Sequence, residues 1–492
     1  MIFKLLFKEL FFLDFKNCIV IGAGNAGRPV ARLLNHQGVN VTIADSKKYE
    51  EFTEIRRDML DVLESEGVNL ELGADNPDIS EYDAIYLAPT IPESAPIFKQ
   101  IEENSITIVT RKTISDLINK IIDMDKIGIT GSYGKTTTTT MITHIFKKAG
   151  YKVYQCSSMK WNLVSEAIVD DIVNEEYKGA DLAILELPHG TLGLLGDVEL
   201  KMGVITNLHQ EHLSEFAGSM QRYVDRKSLI LDMCDKLVAN IQCADLLTYK
   251  RDDTIYFNFE NNNSDLDTQK YDISYAATYD DGNYVFKAQT DNPFEKSDIN
   301  IDTVASYNYA NLTAAISVCL EYGISWDIIK EGLALFTGVS GRMEHLGTYN
   351  GVEAYFDSSC SELSIRQALD FIKDENIIVV FGCVDSTTIR DNIESGRTVG
   401  DYANMVIATG YVEITGELHM DSALGLLNAI ENDDIIKLAV CTVDEAAELA
   451  MKYAKPGDYI VHLGIGGTTS YKQVKEKLIN GLEEGRNRYA NN

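Results

Sequence analysis

Positive charge is what this 492-residue chain has least of: 44 Lys and Arg stand against 75 Asp and Glu, a formal net charge of −31. Nucleic acid is held by clustered basic side chains, so a nucleic-acid partner is excluded and the acidity reads as a solubilising surface. Cysteine is thin as well. Eight are scattered along the chain with no Cys-x-x-Cys pair. That excludes a zinc knuckle and a disulfide framework and leaves reduced core thiols in a cytoplasmic protein. No apolar run approaches the roughly 20 residues of a bilayer span, so integral membrane association is not expected. The most apolar stretch, residues 1–15, is broken by Lys4, Lys8, Glu9 and Asp14, and no small-residue cleavage site follows it. It reads as a first strand or helix packed on the protein, with peripheral membrane attachment as the lesser alternative. Internal repeats and low-complexity tracts are missing too. What is present is an ordinary globular balance, 45% hydrophobic and 24% charged, in a chain too long for one core.

Apolar runs separated by helical patterns divide the chain into three α/β blocks, 1–122, 123–337 and 338–492. In the first, strands are expected at 18–22, 39–45, 84–89 and 107–110, with a helix over 25–37. The second opens with a strand at 126–130 and continues at 182–187 and 202–207. Its Asn- and Asp-rich stretch 252–300 alternates Tyr and Phe at 255–259 and 284–288, which predicts antiparallel excursions before a helix at 309–322. The third alternates helices with strands at 352–357, 377–382, 405–409, 437–441 and 459–463, an open parallel sheet. The expected architecture is therefore a Rossmann-like first domain, a central phosphate-loop domain and a second Rossmann-like domain. Substrates are expected in the clefts of a monomer.

The most informative stretch is Gly128-Ile-Thr-Gly131-Ser132-Tyr-Gly134-Lys135-Thr136-Thr137. It reads as a phosphate-binding loop that opens a helix. Gly131 and Gly134 let backbone N–H groups converge on one anion, Lys135 adds a mobile charge, and Thr136 can sit on the Mg²⁺ of a nucleoside triphosphate. Ile129 stands where the general phosphate-loop pattern has its first Gly, so this is a narrower form. A second glycine motif, Gly22-Ala-Gly24-Asn25-Ala-Gly27, follows a strand and has Asp45 at the end of the next one. Alone it reads as a dinucleotide site, but its glycines specify only a tight turn and close approach to a phosphate-bearing ligand. Glu186 ends a very apolar strand, where parallel sheets bind ligands. His212 and Lys227 follow in His209-Gln-Glu-His212 and Tyr223-Val-Asp-Arg-Lys227. Singly these two read as a capping histidine and a solvated lysine. With Thr136 and Glu186, His212 completes an oxygen-and-imidazole set suited to Mg²⁺.

Taken together the motifs resemble the Mur ligase family, the ATP-dependent amide ligases of cell-wall peptide synthesis, over essentially the whole chain. The loop is similar to the family's Thr-Gly-Thr-Asn-Gly-Lys-Thr. Thr206-Asn-Leu-His-Gln-Glu-His212-Leu is similar to its Thr-Asn…Asp-His-Leu segment. Tyr307-Asn308-Tyr-Ala-Asn311 resembles its His-Asn-x-x-Asn helix start, and Gly341-Arg342-Met-Glu344 its Arg-x-Glu element. Asp357-Ser358 resembles its Asp after a strand, and Lys455-Pro-Gly-Asp458 its last Gly-Asp-strand stretch. The resemblance implies that Lys135 holds the β- and γ-phosphates and that Thr136 with Glu186 holds one Mg²⁺. It implies that His212 helps hold a second, with Lys227 as its CO₂-derived carbamate. Asn308 and Asn311 would face the adenine, and Arg342 and Asp357 would reach ATP from the third block. Gly22, Gly24, Asn25, Gly27 and Asp45 would hold a nucleotide-linked or peptide carboxylate acceptor.

The implied reaction forms an acyl phosphate from ATP and a carboxylate, then an amide with an amino acid. The spacing fits the D-glutamate-adding (MurD-like) branch. Ala88-Pro89-Thr90 and Ser359 depart from that branch, where it has Ser-Pro-Gly and a Lys. These departures resemble archaeal relatives, among them the pseudomurein peptide ligases. The alternatives are a MurD-like synthetase of the methanogen nickel-porphinoid cofactor and, in another class, an NAD-dependent oxidoreductase. His462, Gly464 and Ser470 are candidates for the incoming amino acid's carboxylate.

Overall fold

The computed structural model describes residues 13–160, 163–210, 213–260, 272–280, 283–288, 297–299, 308–382, 392–412, 417–464 and 471–489. Residues 1–12, expected as part of a packed first element, lie outside them, as do Glu211, His212, Tyr307, Cys383 and Ser470.

Five parallel strands come first: β1 (Asn17–Ile21), β2 (Asn40–Asp45), β3 (Asn69–Leu72), β4 (Ala84–Leu87) and β5 (Thr107–Ile108). They lie in the order β3-β2-β1-β4-β5. The winding reverses at β1, so the glycine loop after it sits where open parallel sheets receive ligands. The following helix, Gly27–His36, starts later than the expected residue 25 because Gly24 to Ala26 form the turn. β3 went unanticipated; its four residues are only partly buried at the sheet edge and carry little periodic signal.

The central sheet has nine strands: β6 (Asp125–Thr130), β7 (Val153–Cys156), β8 (Leu182–Glu186), β9 (Leu200–Ile205), β10 (Cys234–Asn240), β11 (Ile255–Glu260), β12 (Ile273–Asp280), β13 (Asn283–Ala288) and β14 (Ser297–Ile299). Their order is β14-β13-β12-β11-β10-β9-β6-β8-β7. β6 lies between β8 and β9, and β8 is buried along its length because helices cover both faces of a parallel sheet. One expectation is corrected. β11 pairs parallel with both neighbours, and the antiparallel part begins only at β12–β13. Alternating Tyr and Phe report which face of a strand is buried, not which way its neighbour runs.

The third sheet comprises β15 (Glu344–Tyr349), β16 (Val352–Phe356), β17 (Ile377–Phe381), β18 (Met405–Thr409), β21 (Ile436–Val440) and β22 (Tyr459–Leu463), with a short ribbon of β19 (Tyr411–Val412) and β20 (Glu417–Leu418) beside it. The order is β15-β16-β22-β17-β18-β21, parallel except for the β15 edge.

An unbroken apolar cluster runs from the first sheet and its helix (Val20, Val30, Leu33, Leu34) into the central block (Val164, Ile168, Leu185). Above it, Arg28 pairs with Glu166 at 2.7 Å, Arg32 with Asp170 at 2.9 Å and Arg111 with Asp197 at 2.6 Å. The third sheet keeps its own two clusters, one on each face, around Val379 and Val461 and around Val380 and Leu478. Cys18, Cys156, Cys234, Cys243 and Cys319 are buried free thiols, while Cys441 is exposed. Among the described residues no helix is long and apolar enough to cross a membrane.

Candidate active site

The strand β6 delivers Gly131 to Gly134 to the carboxyl edge of the central sheet, between the ends of β8 and β9. Gly131 has φ +143°, and a Cβ there would lie 2.0 Å from Thr206 Oγ1. Gly134 has φ +79°, and its Cβ would meet Asn311 Oδ1 at 1.9 Å. Glycine is required twice, once for backbone conformation and once for space. The loop is then pinned from β9's continuation. The Ser132 N–H donates to the Asn207 carbonyl (3.0 Å) and the Tyr133 N–H to Asn207 Oδ1 (2.9 Å). The Tyr133 carbonyl accepts from Thr206 Oγ1 (2.6 Å) and Asn207 Nδ2 (3.1 Å). Ser132 Oγ lies 2.8 Å from the buried Tyr223 hydroxyl and accepts the His209 N–H. Lys135 Nζ folds back onto the Gly131 and Ser132 carbonyls at 3.0 and 2.8 Å. An anion seated in the cradle competes with those neutral carbonyls for the ammonium and wins on charge. Thr137 is buried in the same first helical turn.

Glu186 is 2% exposed at the end of β8, beside β6. Its carboxylate accepts from Thr136 Oγ1 (3.0 Å), the Ser158 N–H (3.0 Å) and Ser158 Oγ (3.1 Å). Among the described residues Glu186 has no ion pair. A buried carboxylate held by neutral donors alone, beside a hydroxyl that faces a phosphate cradle, is an all-oxygen set that fits Mg²⁺. Lys227 is buried, and its Nζ donates to Thr130 Oγ1 (3.2 Å) and the Gly131 carbonyl (3.0 Å), 5.5 Å from the centre of the Tyr223 ring. Thr136, Glu186 and Lys227 thus gather at the base of one loop. His212, expected with them, lies outside the described residues. Sequence reasoning missed Ser158. It follows the strand β7, and nothing local says that β7 lies next to β8.

Other expected residues are placed differently from one another. Asn311 donates to Asn308 Oδ1 at 2.9 Å and packs on Gly134 of the phosphate loop. Asp357 is buried under the turn 341–343. Its oxygens accept the N–H groups of Met343 (2.6 Å) and Ser359 (2.7 Å), burial pushes its pKa up, and Arg342 opposes that shift. Arg342 itself donates to the Gly341 carbonyl (3.0 Å) and to Ser358 Oγ. The carboxylate expected at the nucleotide therefore clasps the turn that carries Arg342. In the first block a Cβ on Gly27 would lie 1.8 Å from the Gly22 carbonyl, whereas Gly24 faces open space. Asp45 accepts the Ala23 and Lys47 N–H groups (2.8 and 2.9 Å), and Asn25 accepts from Arg28 (3.1 Å). Both side chains shape the glycine loop. In the third sheet His462 is fully buried, with neither ring nitrogen hydrogen-bonded. Burial pushes its pKa down to about 3.

Residues 129–319 match the family described as Mur ligase middle domain, and residues 341–466 match the Mur ligase glutamate ligase domain. The chain belongs to the Mur ligase family. The UDP-N-acetylmuramoylalanine–D-glutamate ligase of Streptococcus pyogenes serotype M49 is 28% identical over 455 residues, 91% of each chain. Two solved Mur ligase folds align over most of the chain. One is a pseudomurein peptide ligase type C from Methanothermus fervidus (TM-score 0.57, 22% identity, 94% of this chain and 99% of that one). The other is the MurF ligase of Thermotoga maritima in complex with ADP (TM-score 0.60, 17% identity, 92% and 97%). Membership of the Mur ligase family sets aside the oxidoreductase alternative that the Gly22–Gly27 motif left open.

Proposed function

We propose that this Mur ligase is an ATP- and Mg²⁺-dependent carboxylate–amine ligase. It adds an amino acid to the peptide of a cell-wall precursor, of pseudomurein in preference to murein. The observation that carries the proposal is the pinned phosphate loop with buried Glu186, Thr136 and Ser158 at its base. The Ala88-Pro89-Thr90 turn and Ser359 favour the pseudomurein branch. The open space at Gly24 suits a phosphate-bearing acceptor better than a porphinoid ring. The three blocks divide the work: residues 1–122 take the acceptor, 123–337 take ATP, and 338–492 bring the amino acid.

The loop N–H groups and Lys135 bind the triphosphate. Lys135 leaves the Gly131 and Ser132 carbonyls to neutralise charge on the β- and γ-phosphates. Thr136 and Glu186 would hold one Mg²⁺, with His212 and Lys227 at a second; the ion supplies charge neutralisation of the transferring phosphoryl group. Lys227 as its carbamate presents anionic oxygen where an ammonium would repel a cation. An acceptor carboxylate oxygen attacks the γ-phosphorus and ADP leaves. The amine nitrogen then attacks the acyl carbon, loses a proton, and inorganic phosphate departs. Arg342, on its clasped turn, closes the nucleotide side, and closure excludes the water that would hydrolyse an acyl phosphate.

The test is phosphate release from ATP, screened across amino acids with UDP-linked peptide acceptors. One amine–acceptor pair should stimulate release, and Lys135→Ala should lower it by about 10³-fold or more. Ligation retained by Lys135→Ala overturns the scheme. Lys227→Ala should lose turnover and regain part of it with added acetate; no response to short carboxylates removes the carbamate.

A further inference from the structure

Tyr133 stands where the family's loop has Asn. Its backbone is held on both sides by Thr206 and Asn207, and its ring lies beside His209 with centroids 6.0 Å apart. The direction of the phenol is therefore set by the phosphate loop itself. Its hydroxyl reaches 3.0 Å from Ser361 Oγ, 228 residues further along and in the third block. Ser361 is the N-cap of the helix Glu362–Asp370, within 2.9 Å of Ser364 Oγ. Just before it, the Ser359 N–H is clasped by Asp357, and the Ser359 carbonyl accepts the Gly464 N–H at 2.8 Å, at the carboxyl end of β22. Two hydrogen bonds joined by the short backbone segment 359–361 thus lead from the phosphate cradle to the carboxyl edge of the third sheet. An Asn at 133 has a side chain too short to span that distance.

We infer that Tyr133 is a positioning residue: its hydroxyl, through Ser361, seats the third block against the phosphate loop. The catalytic consequence rests on the ligase reading given above, because seating brings the amine-bearing block to the acyl phosphate. Tyr133 itself needs to touch neither substrate. One neutral hydrogen bond between moving parts biases their equilibrium by about fivefold, enough to favour the closed arrangement without locking it.

The test pairs fluorophores at Cys441, which is exposed in the third block, and at Lys330→Cys in the central one, with Cys360 and Cys383 replaced by Ala. Energy transfer in the full chain reads the open-to-closed ratio, with and without Mg-ADP. A fluorescent ADP analogue reads the loop separately. Tyr133→Phe and Ser361→Ala should each raise the open-to-closed ratio by about fivefold. The double variant should match either single one, and Ser361→Thr, which keeps the hydroxyl and the cap, should restore wild-type behaviour. Affinity for the ADP analogue should stay within about threefold in Tyr133→Phe. An unchanged ratio in Tyr133→Phe, or effects that multiply in the double variant, overturns the inference. A wild-type chain that binds no ADP analogue counts against the ligase reading instead, and the ratio without nucleotide still decides the role of Tyr133.

Discussion

Arg28, Arg32 and Arg111 each cross from the first block to a carboxylate of the central one, over an apolar cluster that does not stop at the boundary. The third block meets the phosphate loop through two hydroxyls, Tyr133 and Ser361, and its sheet has two hydrophobic clusters of its own, with only Val339 at the boundary packed into a central one among the described residues. Continuous apolar burial and oriented guanidinium pairs resist shear, while a neutral hydrogen bond can break and reform at little cost. The contrast teaches where this Mur ligase can move. The first block is packed into the central one, and in the proposed ligase the third block is the one left to open and close.

The strongest way to break that contrast is at Arg28. Its side chain is buried, and it also donates to the Ala23 carbonyl of the glycine loop at 2.8 Å. Arg28→Ala removes a largely buried ion pair to Glu166 and the bond to the glycine loop, and should cost about 3 kcal/mol in denaturant unfolding. The loss should fall on a transition shared by the first and central sheets, leaving the third sheet's transition in place. If calorimetry shows all three sheets melting together, the two joints do not differ as described.

Acid should act on the other side. His462 is held neutral by burial in the third sheet, with a pKa of about 3 against the ordinary value near 6.5. Above pH 6.5 neither folded nor unfolded chain binds the proton, and stability is complete. Below it the unfolded chain binds a proton that the folded one excludes, so stability falls by up to about 1.4 kcal/mol per pH unit down to about pH 3. Comparing the wild type with His462→Leu between pH 6.5 and 5 isolates this contribution. The third sheet's transition should lose its slope in the variant, and parallel curves would show that His462 does not titrate this way.

Arg111 gives the smallest effect. Its pair with Asp197 has good two-pronged geometry, but both side chains are about a third exposed. Arg111→Ala should cost about 0.5 to 1 kcal/mol, and the loss should shrink in high salt. A salt-independent loss of several kcal/mol would mean that the first joint depends on packing at this point and not on charge.

Much of the site was legible along the chain because local rules dictate it. Gly131, Gly134, Lys135 and Thr136 fall within six residues, a loop and the first turn of its helix, and Glu186 closes an apolar run that reads as an interior strand. Ser158, the Asn311–Gly134 contact and the Tyr133–Ser361 bond were not legible. Each joins segments whose adjacency depends on strand order or on how blocks dock. Asp357 combines the two. The family resemblance implies a nucleotide contact for it, and the structure adds what no local pattern showed, that its carboxylate is buried beneath the turn 341–343 and clasps it.

By itself the amino-acid order determined three α/β blocks, the phosphate loop and the acid at its side. Periodicity, glycine spacing and strand ends are properties of short stretches, and short stretches carry them. Tertiary structure alone decided which hydroxyls meet Glu186, why Gly134 tolerates no side chain, and which of the two joints is firm. Those answers come from distances between residues far apart in the chain, which no local pattern encodes.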